Sequence, residues 1–291
     1  MPSLKSIRNR IRSVKSTQQI TRAMKMISAA RLRRAQEAVL SARPYSKRMD
    51  QVLQNVASRV DLSAHPLLVP REKKKVELVV LTSDRGLCGG FNANIVRRTQ
   101  RFILENKDKY EAITLRTLGR KGNEFFRRRE VKIRKDHAGF LTKLQFAAAG
   151  ELARELSELY LSGEVDSVYL VYNEFISAVS QKVSLVELLP ISPPAAAEEK
   201  HGAALPVEYL YEPGREKLLA DLMPRYVATK VWRALLESVA SEHGARMSAM
   251  DNATNNAKEM IGKLTLQYNR TRQAAITKEL MEIVSGAEAL K

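Results

Sequence analysis

The sequence predicts an α/β protein in which long N- and C-terminal helices form an antiparallel coiled coil, joined by a central Rossmann-like α/β domain. Three observations predict this fold. Residues 3–59 contain no glycine and one proline, so they favour a single long helix. From Val76 onward, short apolar β-branched runs alternate with helical stretches. From residue 213 a helical pattern resumes almost to the C-terminus. We therefore expect three domains, at residues 1–59, 60–212 and 213–291.

The N-terminal helix carries an apolar stripe. Its members recur three or four residues apart and resume after a polar break: Leu4, Ile7, Ile11 and Val14, then Ile20, Met24, Ile27, Leu32, Ala35 and Val39. About 55 helical residues would span roughly 80 Å. We expect Pro44 to kink this helix or to interrupt its hydrogen bonds, because proline has no N–H.

The central segment is predicted to form a largely parallel sheet. Strands are expected at 76–82, 112–118, 167–173 and 182–189, with 207–211 as a short edge strand, and helices at 92–106, 120–128 and 145–161. Alternation of strands with helices is typical of parallel sheets. The stretch 191–202 is rich in proline and alanine and is expected to be a mobile surface loop.

The C-terminal helix shows a seam that requires a partner helix. Its members are Met250, Ala253, Ala257, Met260 and Leu264, with Trp232, Leu235 and Val239 upstream. This helix outruns the N-terminal one by about 30 Å. Its last turns carry apolar residues that we expect another protein to cover: Ile276, Leu280, Met281, Ile283, Val284 and Leu290.

The net charge of +17 is concentrated at the N-terminus. Residues 1–59 hold 14 Lys and Arg against two acids, Glu37 and Asp50, and so carry +12. An Arg-rich segment without acids at its start is also typical of a transit peptide, but the persistent helical spacing favours a packed helix. The single cysteine forms no internal disulfide and favours a reducing, cytoplasmic compartment. No apolar run is long enough for a membrane span.

Two classes of function fit these residues. One is a coiled-coil protein whose rod inserts into a larger complex. The alternative is a basic coiled-coil nucleic-acid-binding protein that neutralises phosphates with its N-terminal helix. Its basic residues surround the helix, however, and Tyr45 is the one aromatic residue among the first 59, which disfavours base stacking.

Little in the sequence predicts catalysis. The four histidines are isolated, so no metal site is expected. The glycine-rich loop 83–90 follows a predicted strand and is either a phosphate cradle or a tight loop. It lacks the GxGxxG order and the Lys-Ser/Thr of a P-loop. Cys88 within it is expected to be buried. We predict no catalytic residue, no cofactor and no metal.

Three segments resemble one known family. They are residues 7–26 with the run Thr17-Gln18-Gln19-Ile20-Thr21-Arg22-Ala23-Met24, the loop Thr82–Asn92, and residues 268–290 with Ile276-Thr277-Lys278-Glu279-Leu280-Met281-Glu282-Ile283. Together they resemble the gamma subunits of bacterial-type F-type ATP synthases. The match covers both ends and the centre of the chain.

The resemblance implies a central-stalk rotor that turns inside a ring of alpha and beta subunits and couples proton flow to ATP synthesis or hydrolysis. Catalysis would belong to the ring. The implied partners are the alpha and beta subunits, the epsilon subunit and the c-subunit ring, with no nucleic acid. The implied location is peripheral, on the cytoplasmic face of the bacterial inner membrane.

The resemblance also implies roles for individual residues. Met24 would face the acidic lever of the beta subunit. Residues implied in rotor–stator contact and coupling are Arg246, Gln273, Thr277 and Glu279, and the terminal bearing would include Ile283, Val284 and Leu290. Gln19 stands where many relatives have Lys, and with Cys88 alone the dithiol switch of chloroplast relatives is absent.

Overall fold

The computed structural model describes residues 3–57, 65–129, 131–142, 144–192 and 214–288. Its elements in chain order are α1 (Leu4–Ala57), β1 (Lys75–Leu81), α2 (Phe91–Glu105), β2 (Ala112–Leu118), α3 (Arg120–Phe126), β3 (Lys132–His137), a 3-10 turn (Phe140–Thr142), α4 (Phe146–Leu161), β4 (Ser167–Phe175), β5 (Gln181–Leu189) and α5 (Arg215–Glu288). The prediction of long terminal helices with a central α/β sheet is confirmed.

The chain forms two compact units. The terminal unit contains both chain ends, up to Ala29 and from Arg246 onward, and the central unit runs from Ala30 to Ala245. The predicted domain boundaries near residues 59 and 212 lie outside the described residues.

Burial along α1 follows one unbroken repeat of three and four residues. The positions that are at least partly buried include Leu4, Ile7, Ile11, Val14, Gln18, Thr21, Lys25, Ser28, Leu32, Ala35, Val39, Ala42, Ser46, Met49 and Leu53. The predicted polar break was wrong, because polar residues continue the repeat in register. Ile20 and Ile27, two predicted members of the stripe, are 57% and 54% exposed.

Helix α1 continues through Pro44. A proline inside a helix removes the hydrogen bond to the carbonyl four residues earlier, here that of Leu40. Both residues are exposed, so water can bind the released carbonyl.

The central sheet has five strands in the order β3-β2-β1-β4-β5. β1 pairs in parallel with β2 and β4, β2 pairs in parallel with β3, and β5 is antiparallel to β4. Four predicted strands are present. Strand β3 was missed, since its sequence Lys-Ile-Arg-Lys-Asp-His is mostly charged. The predicted strand 207–211 lies outside the described residues, as does the predicted loop 191–202 beyond Ser192.

Two apolar cores sandwich this sheet. Helices α2 and α3 cover one face through Phe91, Ile95 and Phe126. The other face is covered by α4, by residues 219–235 of α5 and by Met49 and Leu53 of α1. The centre of the sheet is therefore buried on both sides, which explains why β1 and β4 are nearly continuous buried runs.

In the terminal unit, α5 buries a stripe that includes Met250, Ala257 and Leu264. One predicted member is wrong: Met260 is 44% exposed, and its neighbour Ile261 is the half-buried residue. A helix has 3.6 residues per turn, so a seam read from sequence drifts by one residue over a few turns.

Candidate partner-binding site

The terminal unit is an antiparallel helix pair, as predicted. Arg8 Nη2 of α1 donates to the hydroxyl of Tyr268 at 3.2 Å. Farther along α1, the hydroxyls of Thr21 and Thr254 are 2.8 Å apart. Lys25 Nζ then lies 2.6 Å from Asp251 Oδ1. Residue numbers rise along α1 as they fall along α5, which defines the antiparallel direction.

Polar groups lie within the seam between these helices. Thr21 and Ser28 are 8% and 2% exposed, and they occupy seam positions at which a stable coiled coil has apolar residues. Each threonine hydroxyl also has an acceptor on its own helix, because Thr21 lies 3.0 Å from the Gln18 carbonyl and Thr254 lies 2.7 Å from the Met250 carbonyl. The hydroxyls are therefore satisfied, and the seam is held less strongly than an apolar one.

The predicted partner-binding residues fall into two groups on this unit. Met24 is half-buried and directly precedes Lys25, which pairs with Asp251. Arg246 lies five residues before Asp251 and is 8% exposed. Gln273 lies 27 residues beyond Arg246, a distance of about 40 Å along α5.

The second group is the exposed end of α5. Gln273, Thr277 and Glu279 are exposed there. Five large apolar side chains are 49% to 69% exposed around them, namely Ile276, Leu280, Met281, Ile283 and Val284. We call this surface the apolar end. Leu290 lies outside the described residues.

The loop 83–90 is a tight turn that uses its own polar groups. The Ser83 N–H donates to Asn92 Oδ1 at 2.9 Å, and the Phe91 N–H donates to the Cys88 carbonyl at 3.2 Å. Cys88 is 2% exposed, with its Sγ 3.3 Å from Asn92 Nδ2. Leu87 adopts φ 61° and is 63% exposed. This geometry favours the tight-loop interpretation over a phosphate cradle.

A buried charge network, which sequence reasoning missed, lies in the sheet. Glu77 on β1 has a fully buried side chain, with Oε1 3.0 Å from Arg116 Nε and Oε2 2.7 Å from Arg134 Nε. The hydroxyl of Thr114 also donates to Oε2 at 2.9 Å. Arg116 Nη1 lies 2.6 Å from Glu155 of α4. The one sequence signal was an acid within an otherwise apolar strand.

The outer part of this network includes a histidine. His137 Nε2 lies 3.3 Å from Arg116 Nη1. Because a guanidinium only donates, Nε2 must accept and the ring is neutral. Burial lowers the pKa of His137, and the positive charges of Arg116 and Lys135 lower it further. Burial opposes ionisation of Glu155, but hydrogen bonds from Lys135 and Arg116 outweigh it and lower that pKa.

Two further kinds of site are absent from the described residues. Among the parts of the chain that the structure describes, no group of three His, Cys, Asp or Glu side chains is placed to hold a metal ion. No helix in these parts has the length and apolarity needed to cross a membrane.

Comparison with known proteins identifies the family. A family model described as ATP synthase matches residues 3–290. The ATP synthase gamma chain of Anaeromyxobacter sp. (strain Fw109-5) is 61% identical over 294 residues, with all of both chains covered. The chain belongs to the ATP synthase gamma chain family. The gamma chain of Geobacter metallireducens is 56% identical over 291 residues, again with both chains fully covered. The bacterial-type resemblance is confirmed, and nothing in these comparisons supports the nucleic-acid alternative.

Solved structures of mitochondrial ATP synthases contain chains with a similar fold. A chain in the central stalk/c-ring structure of the Tetrahymena thermophila mitochondrial ATP synthase is 27% identical, with a TM-score of 0.60 over 80% of this chain and 99% of that one. A chain in the OSCP/F1/c-ring structure of the Euglena gracilis mitochondrial enzyme is 21% identical, with a TM-score of 0.71 over 99% of this chain and 94% of that one.

Proposed function

We propose that this gamma chain is the central-stalk rotor of a bacterial F-type ATP synthase, and that it couples proton flow through the membrane sector to ATP synthesis or hydrolysis in a ring of alpha and beta subunits. The observation that carries the proposal is the apolar end of α5. Five exposed large apolar side chains on one helix end need a protein cover. We infer that the ring of alpha and beta subunits provides this cover.

Further partners follow from the same assignment. The related structures include the c-ring in one case and OSCP, F1 and the c-ring in the other. We infer that the central unit binds the epsilon subunit and the c-subunit ring, and that the alpha and beta subunits surround the helices. The chain is then peripheral, on the cytoplasmic face of the inner membrane.

Coupling would work through unequal binding on different sides of the helix pair. Each beta subunit meets a different side of α1 and α5, and each side favours a different beta conformation. A ligand shifts a conformational equilibrium only by its difference in affinity for the two states. Rotation of an uneven shaft would therefore change the preferred state of each catalytic site in turn, without a catalytic group on this chain.

The predicted contact residues remain part of this proposal. We assign Met24 to the contact with the acidic lever of the beta subunit, and Arg246, Gln273, Thr277 and Glu279 to rotor–stator contact and coupling. Ile283, Val284 and Leu290 would form the terminal bearing. Met24 is half-buried and directly precedes Lys25, which is ion-paired with Asp251. A lysine at position 24 would therefore present a second ammonium group to the beta subunit, next to that of Lys25.

The test is reconstitution of the alpha and beta ring with and without this chain. We expect multisite ATP hydrolysis to require the chain. Met24→Lys is expected to lower proton pumping per ATP hydrolysed more than it lowers hydrolysis. A ring that turns over equally well without the chain would overturn the proposal.

A second comparison tests the apolar end. Ile283→Ser with Val284→Ser is expected to weaken assembly or torque while the helix content by circular dichroism stays unchanged. The control is Ile176→Ser with Val179→Ser, which removes two apolar side chains, likewise more than half exposed, from the turn between β4 and β5. If both variants assemble equally well, the apolar end is not the bearing.

A further inference from the structure

The outer side of helices α2 and α3 carries a cluster of arginines. Ile95 and Phe102 of α2 and Phe126 of α3 are buried against the same face of the sheet. The opposite side of these helices and the turn after α3 are exposed, and we name their arginines the arginine face: Arg97, Arg101, Arg120, Arg127 and Arg128.

One carboxylate lies close to this face, because the pKa of Glu124 is lowered by Lys121 first and also by the charges of Arg128 and Arg120. Among the described residues, no carboxylate forms an ion pair with any of its five arginines. Glu124 on α3 is paired with Lys121 at 2.6 Å instead. At the end of α2 and beyond it, the exposed Lys107 and Lys109 alternate with the exposed acids Glu105, Asp108 and Glu111, so the positive charge belongs to the five arginines. The surface therefore attracts an anionic partner.

The composition of the face disfavours a stable protein interface. Such interfaces are centred on buried aromatic or aliphatic anchors. On α2 and α3 the one large apolar side chain that is strongly exposed is Leu104, at 74%. Phe125 is covered by the guanidinium of Arg129, whose Cζ lies 3.5 Å from the ring centroid. Charge without an apolar centre suits diffuse electrostatic binding better than a fixed contact.

We propose that the arginine face binds the anionic phospholipid headgroups of the membrane surface. The proposal rests on the proposed function, which brings the central unit close to the membrane. Guanidinium groups bind phosphate through paired N–H donors, and Leu104 among them can enter the headgroup region. Lipids diffuse sideways and have no fixed register, so they hold a rotor near the surface without an angular stop.

The test measures binding to vesicles. The soluble complex of this chain with alpha and beta subunits is mixed with phosphatidylcholine vesicles, with and without phosphatidylglycerol, at low and high salt. The patch variant is Arg101→Gln, Arg127→Gln and Arg128→Gln. The control variant is Arg154→Gln, Lys182→Gln and Arg225→Gln, which removes three exposed charges from α4, β5 and α5.

We expect the patch variant to lose at least about tenfold in binding to phosphatidylglycerol vesicles, because each basic group near an anionic surface contributes roughly fivefold. The control is expected to lose less than about twofold, since its charges lie elsewhere. Equal losses in the two variants, or no preference for phosphatidylglycerol, would overturn the proposal. The proposal would also be overturned if the patch variant bound vesicles as well as the wild type but no longer bound an acidic subunit of the complex. The arginine face would then bind a protein.

The isolated full-length chain gives a second measurement. The basic residues of α1 contribute equally to both variants there, so the difference between patch and control is still expected. If the chain fails to assemble with the ring but shows this difference, the proposed function fails and lipid binding stands. If it assembles and supports hydrolysis but the difference is absent, only the lipid proposal fails.

Discussion

The two units of this chain differ in how they bury apolar and polar side chains. In the central unit, the sheet is buried on both faces, and even the buried carboxylate of Glu77 is fully paired. In the terminal unit, the seam contains Thr21 and Ser28, while Ile20 and Ile27 on α1 are more than half exposed. The central unit is stabilised by contacts among its own residues, whereas the terminal unit exposes apolar surface that other proteins can cover.

This contrast follows from geometry. A sheet covered by helices on both sides buries nearly every residue of its central strands, but a helix pair buries one stripe on each helix and exposes the rest. A shaft that must present several different sides to its partners needs this exposed surface. We therefore expect substitutions in the central unit to change stability, and those in the terminal unit to change binding and local opening.

The largest expected effect is in the charge network of the sheet. Glu77→Leu removes the carboxylate that faces both Arg116 and Arg134 and leaves a guanidinium that is 3% exposed without one of its partners. We expect the free energy of unfolding to fall by about 3 kcal/mol or more. Denaturant unfolding followed by circular dichroism measures it.

Two further variants make this prediction specific. Glu72→Leu, at a side chain that is 80% exposed, is expected to change stability by less than about 0.5 kcal/mol. Adding Arg116→Leu to Glu77→Leu should recover part of the loss, because the unpaired charge is removed as well. Unfolding of Glu77→Leu at the wild-type midpoint would show that the network does not stabilise the central unit.

The second effect is steric. Gly119 joins β2 to α3 with φ 96°, and a Cβ there would lie 1.9 Å from the Thr82 carbonyl oxygen. We expect Gly119→Ala to cost about 2 to 3 kcal/mol of unfolding free energy, since both the backbone angle and the contact are unfavourable. Gly139→Ala is the matched control, because φ is 79° but no atom lies within 4 Å of the added Cβ. Equal losses in the two variants would mean that the contact with Thr82 relaxes freely.

The sequence predicted elements where a local pattern determines them. The predicted bounds of strand 112–118 are confirmed, because Ile113, Thr114 and Thr117 are β-branched and Leu115 and Leu118 are apolar, a local pattern that favours a buried strand. Strand β3 was not found, since a charged edge strand has no apolar pattern and is specified by its pairing with β2. Its pairing depends on residues far away in the chain.

The site was predicted in part for the same reason. Apolar residues on the last turns of α5 are visible in the sequence, and so is their lack of a partner of matching length. The polar seam was not visible in the sequence. Thr21 and Ser28 are polar, and they are buried only because they fall on the three-and-four-residue repeat of α1. The partners of Glu77 were not visible either, since Arg116 is 39 residues away and Arg134 is 57.

A smaller effect is expected in the terminal unit. Thr21→Val with Thr254→Val replaces both hydroxyls in the seam by methyl groups of similar size. Replacing both partners of a buried hydrogen bond with apolar groups is near neutral or stabilising, so we expect a gain of about 1 kcal/mol or less against local opening. Amide hydrogen exchange in residues 246–268 should slow accordingly. Thr265→Val, at an exposed position of α5, serves as control and should leave the exchange unchanged. Faster exchange in the double variant would show that the threonine pair holds these helices together.

The smallest effect is a pH dependence confined to the central unit. Burial, with the charges of Arg116 and Lys135, lowers the pKa of His137 below its usual value of 6.5. The unfolded chain therefore binds this proton more readily than the folded chain. As pH falls through 6.5, stability is lost, and the loss is complete below the folded-state pKa. Because the imidazole ring is half exposed, we expect the contribution of His137 to the free energy of unfolding to stay below about 1 kcal/mol.

His137→Gln should flatten the fall in unfolding free energy between neutral and mildly acidic pH. His65→Gln should leave the His137 part in place, although burial lowers the pKa of His65 too. An unchanged slope in His137→Gln would mean that His137 protonates without opposition from Arg116, and that the outer part of the network is open to water.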